Sequence, residues 1–385
     1  MASANIETLA VSRCPPYTFP MLEIAYCRRR QMRLMQRMAE KNLGAVCVGQ
    51  RRHVYYLTGH WTLWTQRSAA IVFSDGQVWL TCAGEPDKNT AADQVVAYEA
   101  KWTSTLRQEQ PAVVAKQVIE ALKGRGVRRV GLDASVVSSQ VAIEFKDTEA
   151  IDPELWQMRR QKDPDELKLM KKAIACTEAM YRKAKEIIEP GVPELQVFTQ
   201  LNAAAVLEAG EPLTELLGND FRCAARGGAP RGDYKAGKGE LYILDLGPVY
   251  RGYFSDNART FAVDRKPTDK QMKAWEAIVG ALSIVEKMAK PGAKGREIFA
   301  AVDEHFKQTR KTGMPHHLGH GVGLQPHEYP HLNPKWDDVL LEGEIFTAEP
   351  GQYGEGLKEG IRLENDYLVT KEGVESLFEF PLEMI

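Results

Sequence analysis

Cysteine is scarce in this 385-residue chain. The six thiols, Cys14, Cys27, Cys47, Cys82, Cys176 and Cys223, show no Cys-x-x-Cys spacing, and none lies beyond Cys223. That excludes a disulfide framework and a thiolate zinc site. An excess of either charge is lacking as well. Fifty basic side chains stand against 52 acidic ones, for a net charge of −2, which offers no electrostatic footprint for nucleic acid or anionic membrane. No apolar run reaches membrane-spanning length, and the opening MASANIETLAVSRCPPYTFP has neither a basic n-region nor an apolar core of signal length. These absences lead us to expect a cytoplasmic protein that engages neither nucleic acid nor membrane and acts on a peptide or a small molecule.

The length exceeds what one hydrophobic core usually serves, so two domains are expected, 1–158 and 159–385. In the first, a basic, Met-rich helix from Arg28 stops at Gly44, and AVCVG, VYYLTG, AAIVFSDGQVWLTC and RVGLD read as short strands. Helix and strand in alternation predict an α/β layer domain. The second domain opens on a helix whose start is marked by Asp163 as N-cap, Pro164 at the first position and Glu166 at the third. Its apolar spacing persists until Pro190-Gly191, after which a second helix runs to Gly210. The same series of helix, Pro291-Gly292 and helix to Gly313 returns about a hundred residues later, and strands follow each pair. An α+β domain with a pseudo-twofold internal repeat follows, its two half-sheets enclosing a cleft.

Histidine is also sparse, yet five of the eight fall in HHLGHGVGLQPHEYPH, residues 316–331. Carboxylates in the same domain can meet them. ELYILDLGPVYRGYFSDNARTFAV reads as a hairpin turning between Tyr250 and Arg251, which sets Asp245 opposite Asp256. Two opposed carboxylates among apolar residues repel unless a cation lies between them, or unless one pairs with Arg251 or Arg259 or faces solvent. Glu349 ends one apolar strand and Glu364 lies in another, where each needs an arginine, a metal or a proton. Arg362 shares a face with Glu364 and is a ready salt-bridge partner. A carboxylate-rich set with one imidazole suits manganese, cobalt or zinc, and two such ions can activate a bridging water and polarise a carbonyl.

The series LDLG, SDNARTF, HHLGHGVGLQPHE, FTAEPGQY and GIRLE resembles the pita-bread metallopeptidases, the group of aminopeptidase P, prolidase and creatinase. The resemblance covers about 160 to 372, and YYLTG with its neighbours is similar to the creatinase-like N-terminal domain of that group. It implies a pita-bread catalytic domain, a homodimer, and two divalent ions, manganese foremost, held by Asp245, Asp256, His320, Glu349 and Glu364. It further implies Xaa-Pro aminopeptidase or dipeptidase activity through a metal-bridging hydroxide. Glu349 would serve as general base and then acid, His327 would bond the scissile group, and His316 would line the pocket. His317 and His331 match no family role and are expected to be outer-shell or surface residues.

The proline-directed peptidases carry a further histidine upstream of the first aspartate. This chain has none between His60 and His305, and NDFRCAARGGAPRGDYKAGKGE stands in its place. Arg222, Arg226 and Arg231 are candidates for holding a substrate carboxylate, Asp233 for an amine, and Trp61 and Trp64 for roofing a pocket. The change admits an alternative: a metalloenzyme of the same fold acting on a small non-peptide metabolite, as a C–N hydrolase of the ectoine hydrolase or creatinase type or as a lyase.

Overall fold

The computed structural model describes residues 22–384 apart from 85–89, 216–219 and 310–311. The chain divides into two compact units between Asp152 and Pro153. In the first, six strands form one mixed sheet in the order Gln94–Tyr98, Val78–Ala83, Ala69–Phe73, Ala45–Val48, Arg129–Leu132, Asp147–Ala150. The central strand Ala45–Val48 is fully buried, parallel to Arg129–Leu132 and antiparallel to Ala69–Phe73. Helices Gln110–Gly124 and Val136–Glu144 cover the core formed by Cys47, Ile71, Val114, Val118, Val130 and Val141.

One expected strand is a helix. VYYLTG belongs to Arg51–Thr58, closed by Gly59 at φ 74° with its N–H on Tyr55 O at 2.8 Å. A short apolar run buried from residue 53 to residue 58 carries no period, and Gly59 serves as well for a left-handed helix cap as for a strand stop.

The second unit opens as expected. Helix Pro164–Ile187 begins at the Asp163 cap, and the Glu166 carboxylate accepts the Asp163 N–H at 3.0 Å. Helix Glu194–Ala209 follows; its counterparts in the second half are Asp269–Met288 and Gly295–Thr309. Gly191 and Gly292 turn the two helix pairs at φ 96° and 88°, where a side chain would be strained. Their N–H groups donate to Ala236 O and Leu340 O, and isolated bridges pair Pro193 with Lys235 and Lys294 with Val339. The repeat is therefore structural as well as sequential. Strands Leu241–Leu246 and Asn257–Ala262 pair in the first half, and a five-stranded sheet containing Gly319–Gly321, Ile345–Ala348 and Asn365–Val369 builds the second. The halves are stitched together by Glu364 N–H to Ala258 O at 3.0 Å and by Arg259 Nη1 to Glu364 O at 2.9 Å.

Candidate metal centre

The hairpin register differs from the one expected. Tyr250 pairs with Tyr253 and Asp245 with Ala258, so the turn is centred between Arg251 and Gly252, both at positive φ. Arg251 takes the first left-handed position, which the sequence alone does not favour for a non-glycine residue. Asp256 thus lies diagonal to Asp245. The offset of two keeps both on one face, and their carboxyls are in hydrogen-bond contact.

From the second half, His320 projects from Gly319–Gly321 and is 3% exposed. Its flanking glycines permit the close packing: a Cβ on Gly319 would fall 1.9 Å from Thr347 O, and one on Gly321 1.9 Å from Tyr329 O. His320 Nε2 stands 3.5 Å from Glu349 Oε1 and 3.9 Å from Asp256 Oδ2. Glu349 follows strand Ile345–Ala348, and Glu364 immediately precedes Asn365–Val369. Ligand atoms of Asp256, His320 and Glu364 all lie within 4.8 Å of one another, as do those of His316, His317 and Glu349.

Burial, followed by the facing carboxylates, holds Asp256 and Glu364 well above the ordinary carboxyl range. Burial also pushes Asp245 up to about 6 against the opposing pull of Arg362. Burial works the same way on Glu349, but hydrogen bonds from His317 and His320 outweigh it and hold that carboxylate below its usual range. Buried Glu364 Oε2 has no hydrogen-bond partner. Crowded carboxyls that must carry protons when no cation is near, together with an orphaned carboxylate oxygen, fit a divalent-ion site.

Two further residues of this network, Tyr353 and Asp220, escape the sequence reading, and Arg362 takes a different partner from the one expected. Arg362 pairs with Asp245 and, at 3.0 Å, with Asp220, and not with Glu364 as its place on the strand suggests. Tyr353, four residues after Glu349, accepts from Arg362 Nε at 2.9 Å. Asp220 reaches the site because its backbone bridges Asp245, a non-local pairing with no periodic signal. His316 Nδ1–H donates to His317 O at 2.7 Å, which leaves Nε2 to accept from Tyr353 OH at 3.0 Å. His316 is pushed down to about 4 by burial, so the ring is neutral.

Of the two places expected for His317, the structure gives the outer-shell one: its Nε2–H donates to Glu349 Oε1 at 2.6 Å, beside the ligand cluster rather than on the surface. Its place three residues before His320 put it on no recognised motif. His327 stacks on His320 at 3.6 Å, and burial with the neighbouring imidazoles pushes it down to about 4. His331 bonds Asp338 at 2.8 Å and stacks on Trp336, away from the ligand atoms. Of the other candidates, Arg231 is tied to buried Glu194 at 2.6 Å, while Arg226 and Asp233 are exposed. Trp64 is 80% exposed in the first unit, and Trp61 packs edge-on against Tyr55.

The description "metallopeptidase family M24" matches residues 168–371, more than half of the chain. The chain belongs to that family. Residues 30–159 match the creatinase/prolidase N-terminal domain, and the mixed α/β unit and repeat-built α+β unit are the pita-bread architecture expected. A Xaa-Pro dipeptidase of Pyrococcus horikoshii is 27% identical over 363 residues, covering 92% of this chain and 97% of that protein. Among solved structures, a prolidase from Pyrococcus furiosus superposes with a TM-score of 0.75 at 25% identity, covering 90% of this chain and 99% of the other. An X-Pro aminopeptidase from Thermotoga maritima shares the fold at a TM-score of 0.76 and 22% identity, over 92% and 99%. This M24 member is a metal-dependent peptidase.

Proposed function

We propose that this peptidase hydrolyses Xaa-Pro bonds with two divalent ions held by Asp245, Asp256, His320, Glu349 and Glu364. The observation that carries the reading is the grouping of Asp256, His320 and Glu364 within 4.8 Å of one another, with Glu349 3.5 Å from the same buried imidazole and Glu364 Oε2 unpartnered. The names of the relatives support proline specificity. Manganese, cobalt or zinc suits the donor set, manganese first.

When bound, such ions lower the pKa of water and polarise a carbonyl. The remaining chemistry falls to the chain. Glu349, kept ionised by His317 and His320, accepts a proton from the attacking water and delivers it to the leaving nitrogen. His327 is neutral at pH 7 and donates one hydrogen bond to the charge developing at the scissile group. Arg362 orients Asp245 while Tyr353 fixes His316 at the pocket wall.

The histidine-free loop keeps the non-peptide reading open, although Arg231 within it is bound to Glu194 and turned away from that role. Chelator-stripped protein is to be assayed on a Xaa-Pro dipeptide and a Xaa-Pro-Xaa peptide with and without Mn²⁺. Cleavage only with the ion supports the proposal. Full ion occupancy with no Xaa-Pro cleavage, alongside turnover of a cyclic or guanidino metabolite, moves the function to the alternative.

A further inference from the structure

Arg259 belongs to the SDNARTF motif, yet it binds neither Asp245 nor Asp256. It is 1% exposed, and all five of its N–H groups go to neutral oxygens. Nη1 donates to Ala258 O and Glu364 O, each at 2.9 Å, Nη2 to Asn365 Oδ1 at 2.8 Å and Phe380 O at 2.7 Å, and Nε to Pro381 O at 3.0 Å. Burying a cation without a carboxylate partner is costly, and only this complete set of acceptors offsets the cost. Asn365 follows Glu364 directly and so points to the opposite face of the sheet, which puts the guanidinium behind the ligand side.

Two of the acceptors belong to residues 377–384, a segment tied down on both sides of Arg259. Leu377 N–H donates to Asp366 O at 2.8 Å and Glu379 N–H to the Glu178 carboxylate at 3.0 Å, while Trp275 Nε1–H donates to Leu382 O at 2.7 Å. Phe378 is buried with its ring centroid 4.5 Å from the guanidinium carbon, and the Phe380 ring packs 5.3 Å from that of Tyr181. The segment thus links helix Pro164–Ile187 of the first half to helix Asp269–Met288 of the second.

We propose that Arg259 is a positioning residue for Glu364, and that residues 377–384 are the strap that holds Arg259 to that task. The inference rests on the ion-binding reading above. Glu364 is held through both of its backbone groups, its N–H on Ala258 O and its C=O on Arg259, while its Oε2 meets no partner in the chain. Its aim at an ion therefore depends on its backbone, and the backbone on a fork that Phe380 O and Pro381 O keep in place. Such coupling is reciprocal: a strap that favours the ion is itself tightened by the ion.

Hydrogen exchange in the full chain, with and without saturating Mn²⁺, reads the coupling at the Leu377 and Glu379 amides, with helix Gly295–Thr309, which carries no ligand, as the reference. We expect the ion to slow both amides about tenfold beyond that reference. Calorimetry should give a Mn²⁺ Kd about ten- to hundredfold weaker in Arg259→Lys, which keeps the charge and loses the fork. Trp275→Phe, which removes only the Leu382 anchor, should weaken Kd in the same direction by a smaller factor. A merely structural Arg259 would lower the metal-free melting temperature and leave Kd unmoved. Mn²⁺ bound by wild type with no extra slowing at the two amides, or a wild-type Kd in both variants, overturns the inference and leaves the ion site standing. No Mn²⁺ bound by wild type sinks the ion site and the inference with it.

Discussion

Glu349 accepts one hydrogen bond from His317 and lies beside His320, so two imidazoles fix the carboxylate we propose moves the proton. Removing the His317 donor frees Glu349 to turn and raises its affinity for the proton it must give up. His317→Ala is therefore expected to lower kcat about ten- to hundredfold at saturating Mn²⁺, the usual effect of losing a partner of a metal-site ligand. Unchanged kcat would return His317 to the periphery. His331 is the control, because its bond to Asp338 holds the strand Glu328–Leu332 and touches no ligand atom. His331→Ala should leave turnover within about twofold and lower stability by about 1 kcal/mol, read by denaturant titration. Motif spacing makes His320 legible, but not the difference between His317 and His331. That difference depends on which ring the turn before Gly319 points at Glu349, and the turn leaves no trace in residue type.

At the scale of elements, the first unit holds a buried carboxylate shifted down, opposite to Asp245, Asp256 and Glu364. Asp133 accepts from His53 at 3.1 Å, Gln50 N–H at 2.8 Å, Gly49 N–H at 3.0 Å and Ser138 Oγ at 2.8 Å. Burial alone would raise its pKa, but His53 and the backbone donors at the start of helix Arg51–Thr58 outweigh it and hold Asp133 below the usual range. A depressed folded-state pKa means stability that is complete above the unfolded value of about 3.9 and lost as pH falls through the folded one. Asp133→Asn should weaken the first unit at pH 7 and flatten its acid unfolding, monitored by Trp fluorescence or hydrogen exchange in that unit. The helix carrying His53 is also the element that the sequence misassigns as a strand. Its start is visible only once Asp133, eighty residues away from His53, is seen to accept the Gly49 and Gln50 N–H groups just ahead of it. The capping box at Asp163 needs no such distant partner, and it reads directly from the chain.

At the scale of the molecule, the second unit without bound ions carries raised carboxyls. Asp245 lies at about 6 and Asp366, buried beside the Asp256 N–H, at about 8. A raised folded-state pKa makes the native state bind more protons than the unfolded one between about pH 4 and pH 8, so stability falls as pH rises through that window. Metal-free protein is expected to lose melting temperature across the window, and saturating Mn²⁺ should abolish the slope. At a hundredfold excess over Kd the ion adds about 2.7 kcal/mol by mass action. A melting temperature indifferent to pH in the metal-free protein would show that the carboxyls are neutralised by the chain itself. The two-unit plan and the repeat were open to sequence reading because Pro-Gly stops and helical spacing are local signals. The diagonal register of Asp245 and Asp256 was not, since Arg251 occupies a left-handed turn position that residue preference does not favour.

The stitched halves carry a consequence for how the protein is made. Asp245 and Asp256 come from the first half, and His320, Glu349 and Glu364 from the second, joined by the bonds among Ala258, Arg259 and Glu364. A ribosome delivers the two aspartates long before the last glutamate, so the growing chain offers an arriving ion only half a socket. On the proposed ligand set, the site can close around an ion only in the finished, folded polypeptide, so metal-free refolding of the whole chain followed by Mn²⁺ addition should restore full ion binding.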